Sequence, residues 1–144
     1  MSATRRVRMA SLGVVSTLIL EFVLGTMESH YGTRPAAGKP VGLFSGGWLA
    51  VHFIVGILLL LTALVLVVRA IEAGNQLVLG MSVLGLLAIV GAIGAGVSFT
   101  RTGNHGASLG MSLAFAVALA CYVVNLVVLP SGPGSATSAS TGKS

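Results

Sequence analysis

Four apolar runs dominate the sequence, and each is long enough to cross a bilayer core as an α-helix, which takes roughly 20 residues. They cover about residues 9–27, 47–68, 77–99 and 107–129. The last three contain no Asp, Glu, Lys or Arg, and the first is interrupted only by Glu21. Backbone polar groups in lipid must be hydrogen-bonded within the segment, so these runs are predicted helices. The sequence therefore predicts an all-α, integral membrane four-helix bundle made of two helical hairpins.

Composition excludes the alternatives to a membrane protein. Of the 144 residues, 55% are apolar and 8% are charged, whereas about 25% of an average soluble domain is charged. A short chain cannot bury this much apolar surface in one water-soluble globule. The single cysteine, Cys121, excludes a disulfide framework and a Cys-rich metal site. No phosphate-binding loop, activated nucleophile or carboxylate pair is visible, and whether the chain is an enzyme stays open.

The basic residues predict the orientation of the bundle. Five of the eight lie beside the termini or the second connection: Arg5, Arg6, Arg8, Arg69 and Lys143. Because positive charge favours the cytoplasmic side, we expect both termini in the cytoplasm, with connections 28–46 and 100–106 outside and 70–76 inside. The net charge of +5 then reflects topology and anionic lipid, and no nucleic acid is expected as a partner. We expect a multi-pass protein of a prokaryotic plasma membrane.

Residues 1–129 are interpreted as one domain and residues 130–144 as a disordered tail. The tail has no apolar residue larger than Ala, so it can bury very little surface. The first apolar run exceeds the 7–15 residues that are typical of a cleavable signal peptide, so we expect it to be a retained helix.

Three ionisable side chains are predicted to lie in one layer near the external face. His52 is about 7 Å below the external end of the second span, and Glu21 about 9 Å below that of the first. His105 opens the fourth span. Two histidines on separate helices of a bundle are the ligands that a six-coordinate haem iron takes. Gly56, one turn after His52, is predicted to leave room for the macrocycle, and Arg34, Lys39 or Arg101 to pair with its propionates.

Each of these features also has a simpler interpretation. Near a helix end, a histidine is often a hydrogen-bonded interfacial residue, and His30 is expected to be solvated. The small residues Ala88, Ala92 and Ala95 (or Gly96) are typical of helix–helix packing. Asn125 is expected to hydrogen-bond within the bundle rather than to a partner.

The hairpin around Glu21 and His52 resembles one hairpin of the heme A synthase family. The resemblance lies in the apolar-Leu-Gly ending at Leu24-Gly25 and in the apolar-His-apolar opening at Val51-His52-Phe53. It covers about residues 10–129, equivalent to one four-helix half of that family, and more loosely the bundle is similar to cytochrome b561-type proteins. The resemblance implies that His52 and His105 are axial ligands of a haem.

The leading hypothesis is therefore a small b-type cytochrome or haem-handling protein with haem b as its cofactor. Glu21 would tune the site, and a quinone or a redox protein would be its partner. One alternative is a small proton-coupled multidrug-type exporter that uses Glu21, since a carboxyl in low dielectric can exchange a proton for a cation. Another is a non-catalytic subunit or assembly factor of a larger membrane complex. Whether the chain forms a homo-oligomer stays open.

Overall fold

The computed structural model describes residues 3–32, 39–42, 44 and 46–129, and these residues form four α-helices. They are α1 (Ala3–Tyr31), α2 (Gly47–Ala73), α3 (Gln76–Thr102) and α4 (His105–Val128). Each is long and apolar enough to cross a membrane, which confirms the predicted all-α bundle. The predicted disordered tail and Arg34 lie outside the described residues.

The helices extend beyond most of the predicted span ends. Glu28 and His30, which the sequence analysis placed in the external connection, lie in the last turns of α1. Helix α1 continues through them because no Gly or Pro intervenes before Gly32. The connections predicted at 70–76 and 100–106 shrink to two residues each, Gly74-Asn75 and Gly103-Asn104.

Both short turns use the same Gly-Asn pair. Each glycine ends a helix with φ +67°, in the left-handed region that glycine adopts without strain. Each asparagine then caps the next helix: the Asn75 side chain accepts from the backbone N–H groups of Leu77 and Val78, and that of Asn104 from Gly106. The turns thus join α2 to α3 and α3 to α4 as tight antiparallel hairpins.

The helices form a ring in the order α1, α2, α3, α4. Each contacts its two neighbours, and across the described residues the diagonal pairs α1–α3 and α2–α4 make no close backbone approach. The ring has two distinct ends. We call the end with the α1 and α3 N-termini the arginine end, and the end with the α2 and α4 N-termini the histidine end.

The core fills the half of the bundle nearest the arginine end. On each helix four buried residues are spaced by four, three and four positions, and the series on α4 ends at its C-cap, Leu129. This is the spacing of side chains that interdigitate along a left-handed bundle. Leu24, Leu49 and Cys121 are buried outside the series. Matching the four series position by position gives four layers. Counted from the middle of the bundle toward the arginine end, the layers are Leu18/Leu59/Ile89/Ala118, Val14/Ala63/Gly85/Tyr122, Ser11/Leu66/Ser82/Asn125 and Val7/Ala70/Val78/Leu129.

Contacts between α3 and α4 confirm the register of the middle layers. A Cβ added to Gly85 would lie 2.6 Å from Cζ of Tyr122, so the tyrosine ring occupies that space. One layer further, the Asn125 side chain donates a hydrogen bond of 3.0 Å to Oγ of Ser82. This bond within the bundle is the one expected for Asn125.

Charged residues hold the helices together at the arginine end. Arg8 donates to the carbonyl of Leu129 at 3.3 Å, which places the start of α1 beside the end of α4. Glu72 on α2 pairs with Arg69 at 3.2 Å and with Arg6 of α1 at 4.0 Å. The start of α1 and the end of α4 therefore lie on the same side of the bundle.

Candidate functional site

Toward the histidine end the packed layers stop and the bundle opens into a cavity of about 780 Å³. Its floor is the uppermost packed layer, Leu18, Leu59, Ile89 and Ala118. Its walls carry all three histidines of the chain, His30, His52 and His105, and two of its three acidic residues, Glu21 and Glu28. Four of the five phenylalanines also line it: Phe22, Phe53, Phe99 and Phe115.

Glu21 and His52 face each other across the α1–α2 contact. Oε2 of Glu21 and Nδ1 of His52 are 3.2 Å apart, and the two side chains are 11% and 24% exposed. Both atoms are buried, and neither makes a hydrogen bond with another described residue. Since Nδ1 is turned toward Glu21, Nε2 is the ring nitrogen left for a ligand in the cavity.

Two glycines make room for this pair in a reciprocal way. Gly56 lies one turn after His52, and a Cβ there would be 2.8 Å from Oε1 of Glu21. Gly25 lies one turn after Glu21, and a Cβ there would be 3.4 Å from Cε1 of His52. Gly56 does line the cavity, but the space that its missing side chain leaves holds the Glu21 carboxylate.

His105 lies on the wall opposite His52, because α2 and α4 are diagonal in the ring. It is the first residue of α4, it is exposed, and it has no hydrogen-bond partner among the described residues. His52 lies five residues into α2, so the two positions differ in helix depth by about 7 Å. The structure thus brings both predicted ligands to one cavity, with His52 beside Glu21 and His105 exposed at the start of α4.

Arg101 and Lys39 are the described cations near the histidine end. Arg101 is in the last turn of α3 and is exposed. Lys39 is exposed in the connection between α1 and α2. Neither belongs to the cavity wall, although Thr100 and Val41, close to them in sequence, do line it.

Glu28 and His30 place further polar groups in the cavity wall. Oε2 of Glu28 is buried without a hydrogen-bond partner among the described residues. Nδ1 of His30 is 3.1 Å from the carbonyl of Thr26 on its own helix, and the side chain is exposed as expected. In the described part of the chain, no group of three or more His, Cys, Asp or Glu side chains converges as a metal site would require.

The connection between α1 and α2 contributes to the mouth of the cavity. The backbone N–H of Val41, which lines the cavity, donates to the carbonyl of Thr100 near the end of α3 at 3.0 Å. The Phe44 ring meets Phe53 of α2 edge-on, with centroids 5.7 Å apart. We call residues 39–42 and Phe44 the strap.

The small residues of α3 serve helix packing, as their spacing indicated. A Cβ on Gly96 would lie 3.4 Å from Sδ of Met111, and one on Gly110 would lie 4.0 Å from Cβ of Ala95. Both contacts join α3 to α4. Gly96 and Ala92 also line the cavity, so this face of α3 serves both purposes.

The structure adds Gly25, Glu28 and the strap to the residues that the sequence predicts at this site. A signal existed for Gly25, because Glu21 and His52 are each followed by glycine four residues later. Glu28 was set aside because it was assigned to a loop. Nothing local in the sequence predicts the contact between Val41 and Thr100.

These features define the class of protein: a four-helix bundle with membrane-spanning helices, packed at one end and holding a polar, histidine-lined cavity at the other. Comparison with protein-family models, with curated proteins and with solved structures finds no match.

Proposed function

We propose that this chain is a small membrane b-type cytochrome, or a related haem-handling protein, that holds haem b between His52 and His105. The observation that carries the proposal is that the two histidines reach one cavity from diagonally opposite helices. A ligand that lies between them is bound from both sides by helices that do not touch each other.

The residues present fit such a group in three respects. The cavity of about 780 Å³ has phenylalanine and aliphatic side chains on its walls, which suit a planar apolar macrocycle. His52 has a carboxylate 3.2 Å behind its Nδ1, the arrangement common for metal-binding histidines. His105 is exposed with no hydrogen-bond partner in the described residues, so its ring can turn into the cavity.

The chain's residues have separate roles in this proposal. His52 and His105 ligate the iron, and Arg101 and Lys39 near the histidine end pair with carboxylate groups at the polar edge of the ligand. Bound haem supplies reversible one-electron transfer. The electron partner is a quinone in the bilayer or a redox protein, and the site faces the outside of a prokaryotic plasma membrane, since the arginine end carries the charge that favours the cytoplasm.

An absorption spectrum of the purified chain in detergent tests the proposal. We expect a Soret band and, after dithionite reduction, resolved α and β bands typical of six-coordinate haem. His52→Ala and His105→Ala should each abolish the six-coordinate spectrum. His30→Ala is the matched control, because His30 lines the same cavity but bonds to its own helix, and it should leave the spectrum unchanged.

A chain that stays colourless when haem is supplied during expression would contradict the proposal. A normal six-coordinate spectrum in either His52→Ala or His105→Ala would show that the ligands are wrong.

One observation favours a proton-coupled exporter as a second candidate. Glu21 is 11% exposed in the cavity wall, and Phe22, Phe53, Phe99 and Phe115 surround the same space. A carboxylate and aromatic rings together are the groups that hold an organic cation. Glu21→Gln should then abolish drug resistance in cells while Glu28→Gln leaves it, and the purified protein should be colourless.

A chain that is neither coloured nor active in resistance would favour a non-catalytic subunit of a larger complex. Copurification of a stoichiometric partner after mild solubilisation is the expected result in that case.

A further inference from the structure

We infer that Glu21 is a positioning residue for His52: its carboxylate accepts Nδ1–H, fixes the tautomer and orientation of the ring, and presents Nε2 to the ligand. The inference rests on the proposed function, because it concerns how His52 would bind iron. The juxtaposition that carries it is Oε2 of Glu21 at 3.2 Å from Nδ1 of His52.

The two atoms are within hydrogen-bonding distance, and a small rotation of the His52 ring would align them. Both atoms are buried, and neither makes a hydrogen bond with another described residue. The terminal torsion of histidine is broad, so a modest rotation of the ring costs little. Rotation into alignment would satisfy both atoms at once.

The two glycines make that rotation possible. A Cβ on Gly25 would already be 3.4 Å from Cε1 and 3.9 Å from Nδ1 of His52, so a side chain at position 25 would restrict the ring. A Cβ on Gly56 would be 2.8 Å from Oε1 of Glu21 and would displace the carboxylate. A side chain at position 56 would therefore disturb the pair as it stands, whereas one at position 25 would touch the His52 ring at ordinary contact distance and limit its further rotation.

Hydrogen bonding of Nδ1–H to a carboxylate makes the other ring nitrogen a more basic ligand. A more basic ligand stabilises ferric over ferrous iron and lowers the reduction potential. Glu21 thus sets the potential through His52 without touching the iron, and its effect differs from that of a distant negative charge in the same cavity.

Glu21→Gln tests the inference, with Glu28→Gln as the matched control. Each variant removes one carboxylate from the same helix and the same cavity. Glu28 acts on His52 through its charge, whereas the ion-pair contact with Nδ1 is made by Glu21. We expect Glu21→Gln to keep the haem and to shift the ferric–ferrous equilibrium ~10-fold toward ferrous, about 59 mV in midpoint potential. Its low-spin ferric EPR signal should also change, whereas Glu28→Gln should leave that signal as in the wild type.

Gly25→Ala serves as a second variant if Glu21→Gln does not fold. It keeps both ionisable groups and restricts the ring, so it should raise the potential in the same direction. Glu21→Asp keeps a carboxylate and should restore part of the wild-type potential.

The outcomes separate the two proposals. A colourless wild-type chain overturns the haem proposal and this inference with it. A coloured wild type in which Glu21→Gln and Glu28→Gln have the same potential and EPR signal overturns the positioning role and leaves the haem proposal standing.

Discussion

At the scale of single residues, glycine has different roles along one helix. Gly85 and Gly91 both lie on α3, but a Cβ on Gly85 would be 2.6 Å from the buried Tyr122 ring, and one on Gly91 would meet nothing within 4 Å. The first glycine therefore permits a close contact between helices. The second is at an exposed position and makes no such contact.

Gly85→Ala should destabilise the bundle, since Tyr122 is fully buried and has no room to retreat. We expect a loss of about 1–3 kcal/mol, the usual cost of overpacking a core. Gly91→Ala, the matched control, should be neutral or stabilising by up to about 1 kcal/mol through helix propensity. Unfolding in a mild detergent titrated with SDS measures both, and equal effects would contradict the assigned role of Gly85.

Glu21 and His52 could be identified as candidates from the sequence, because an ionisable side chain in an apolar span costs free energy and therefore indicates a functional site. Their partnership could not, because it depends on the register of α1 against α2. The role of Gly56 could not be predicted for the same reason. Its position one turn after His52 was visible in the sequence, but the carboxylate that fills the space comes from another helix.

At the scale of elements, hydropathy predicted that the four helices exist. It did not predict which face of each helix is buried against the others. The spacing of four, three and four positions is present in all four helices, for example at Val7, Ser11, Val14 and Leu18 of α1. In a membrane span the lipid-facing residues are as apolar as the core. The buried positions therefore cannot be distinguished by hydrophobicity from the lipid-facing ones. The Gly-Asn pairs at the two short turns, in contrast, are sequence patterns that indicate the C-terminus of one helix followed by the N-cap of the next.

The strap is an element that only the structure reveals, and it should slow access to the cavity. Phe44 contacts Phe53, which lines the cavity wall, so Phe44→Ala should loosen the strap. With Ser112→Cys as a cavity probe in a Cys121→Ala background, Phe44→Ala should increase the rate of maleimide labelling several-fold.

The control for the strap is Tyr31→Ala, another exposed aromatic residue at the same end. Its ring contact is with His30 rather than with the strap, so the labelling rate should not change. Equal labelling in wild type and Phe44→Ala would mean that the strap does not restrict access.

At the scale of the whole molecule, the chain is divided into a packed half and an open half. Four layers and the ion pairs of Glu72 close the arginine end, while the polar side chains of the cavity gather at the histidine end. The sequence predicted that Glu21, His52 and His105 share one end, because depth along each span could be counted. It could not predict the cavity, since an apolar run looks the same whether it packs tightly or lines a space.

This division predicts sided reactivity. Ser112 lines the cavity, whereas Cys121 is 4% exposed and lies on α4 beside the packed layers. With the arginine end in the cytoplasm, an impermeant maleimide added to intact cells should label Ser112→Cys, and it should leave Cys121 unlabelled from either side. Labelling of Ser112→Cys only in inside-out vesicles would reverse the orientation. Labelling of Cys121 in the folded protein would mean that the arginine end is open. In that case Leu18, Leu59, Ile89 and Ala118 would not close the floor of the cavity.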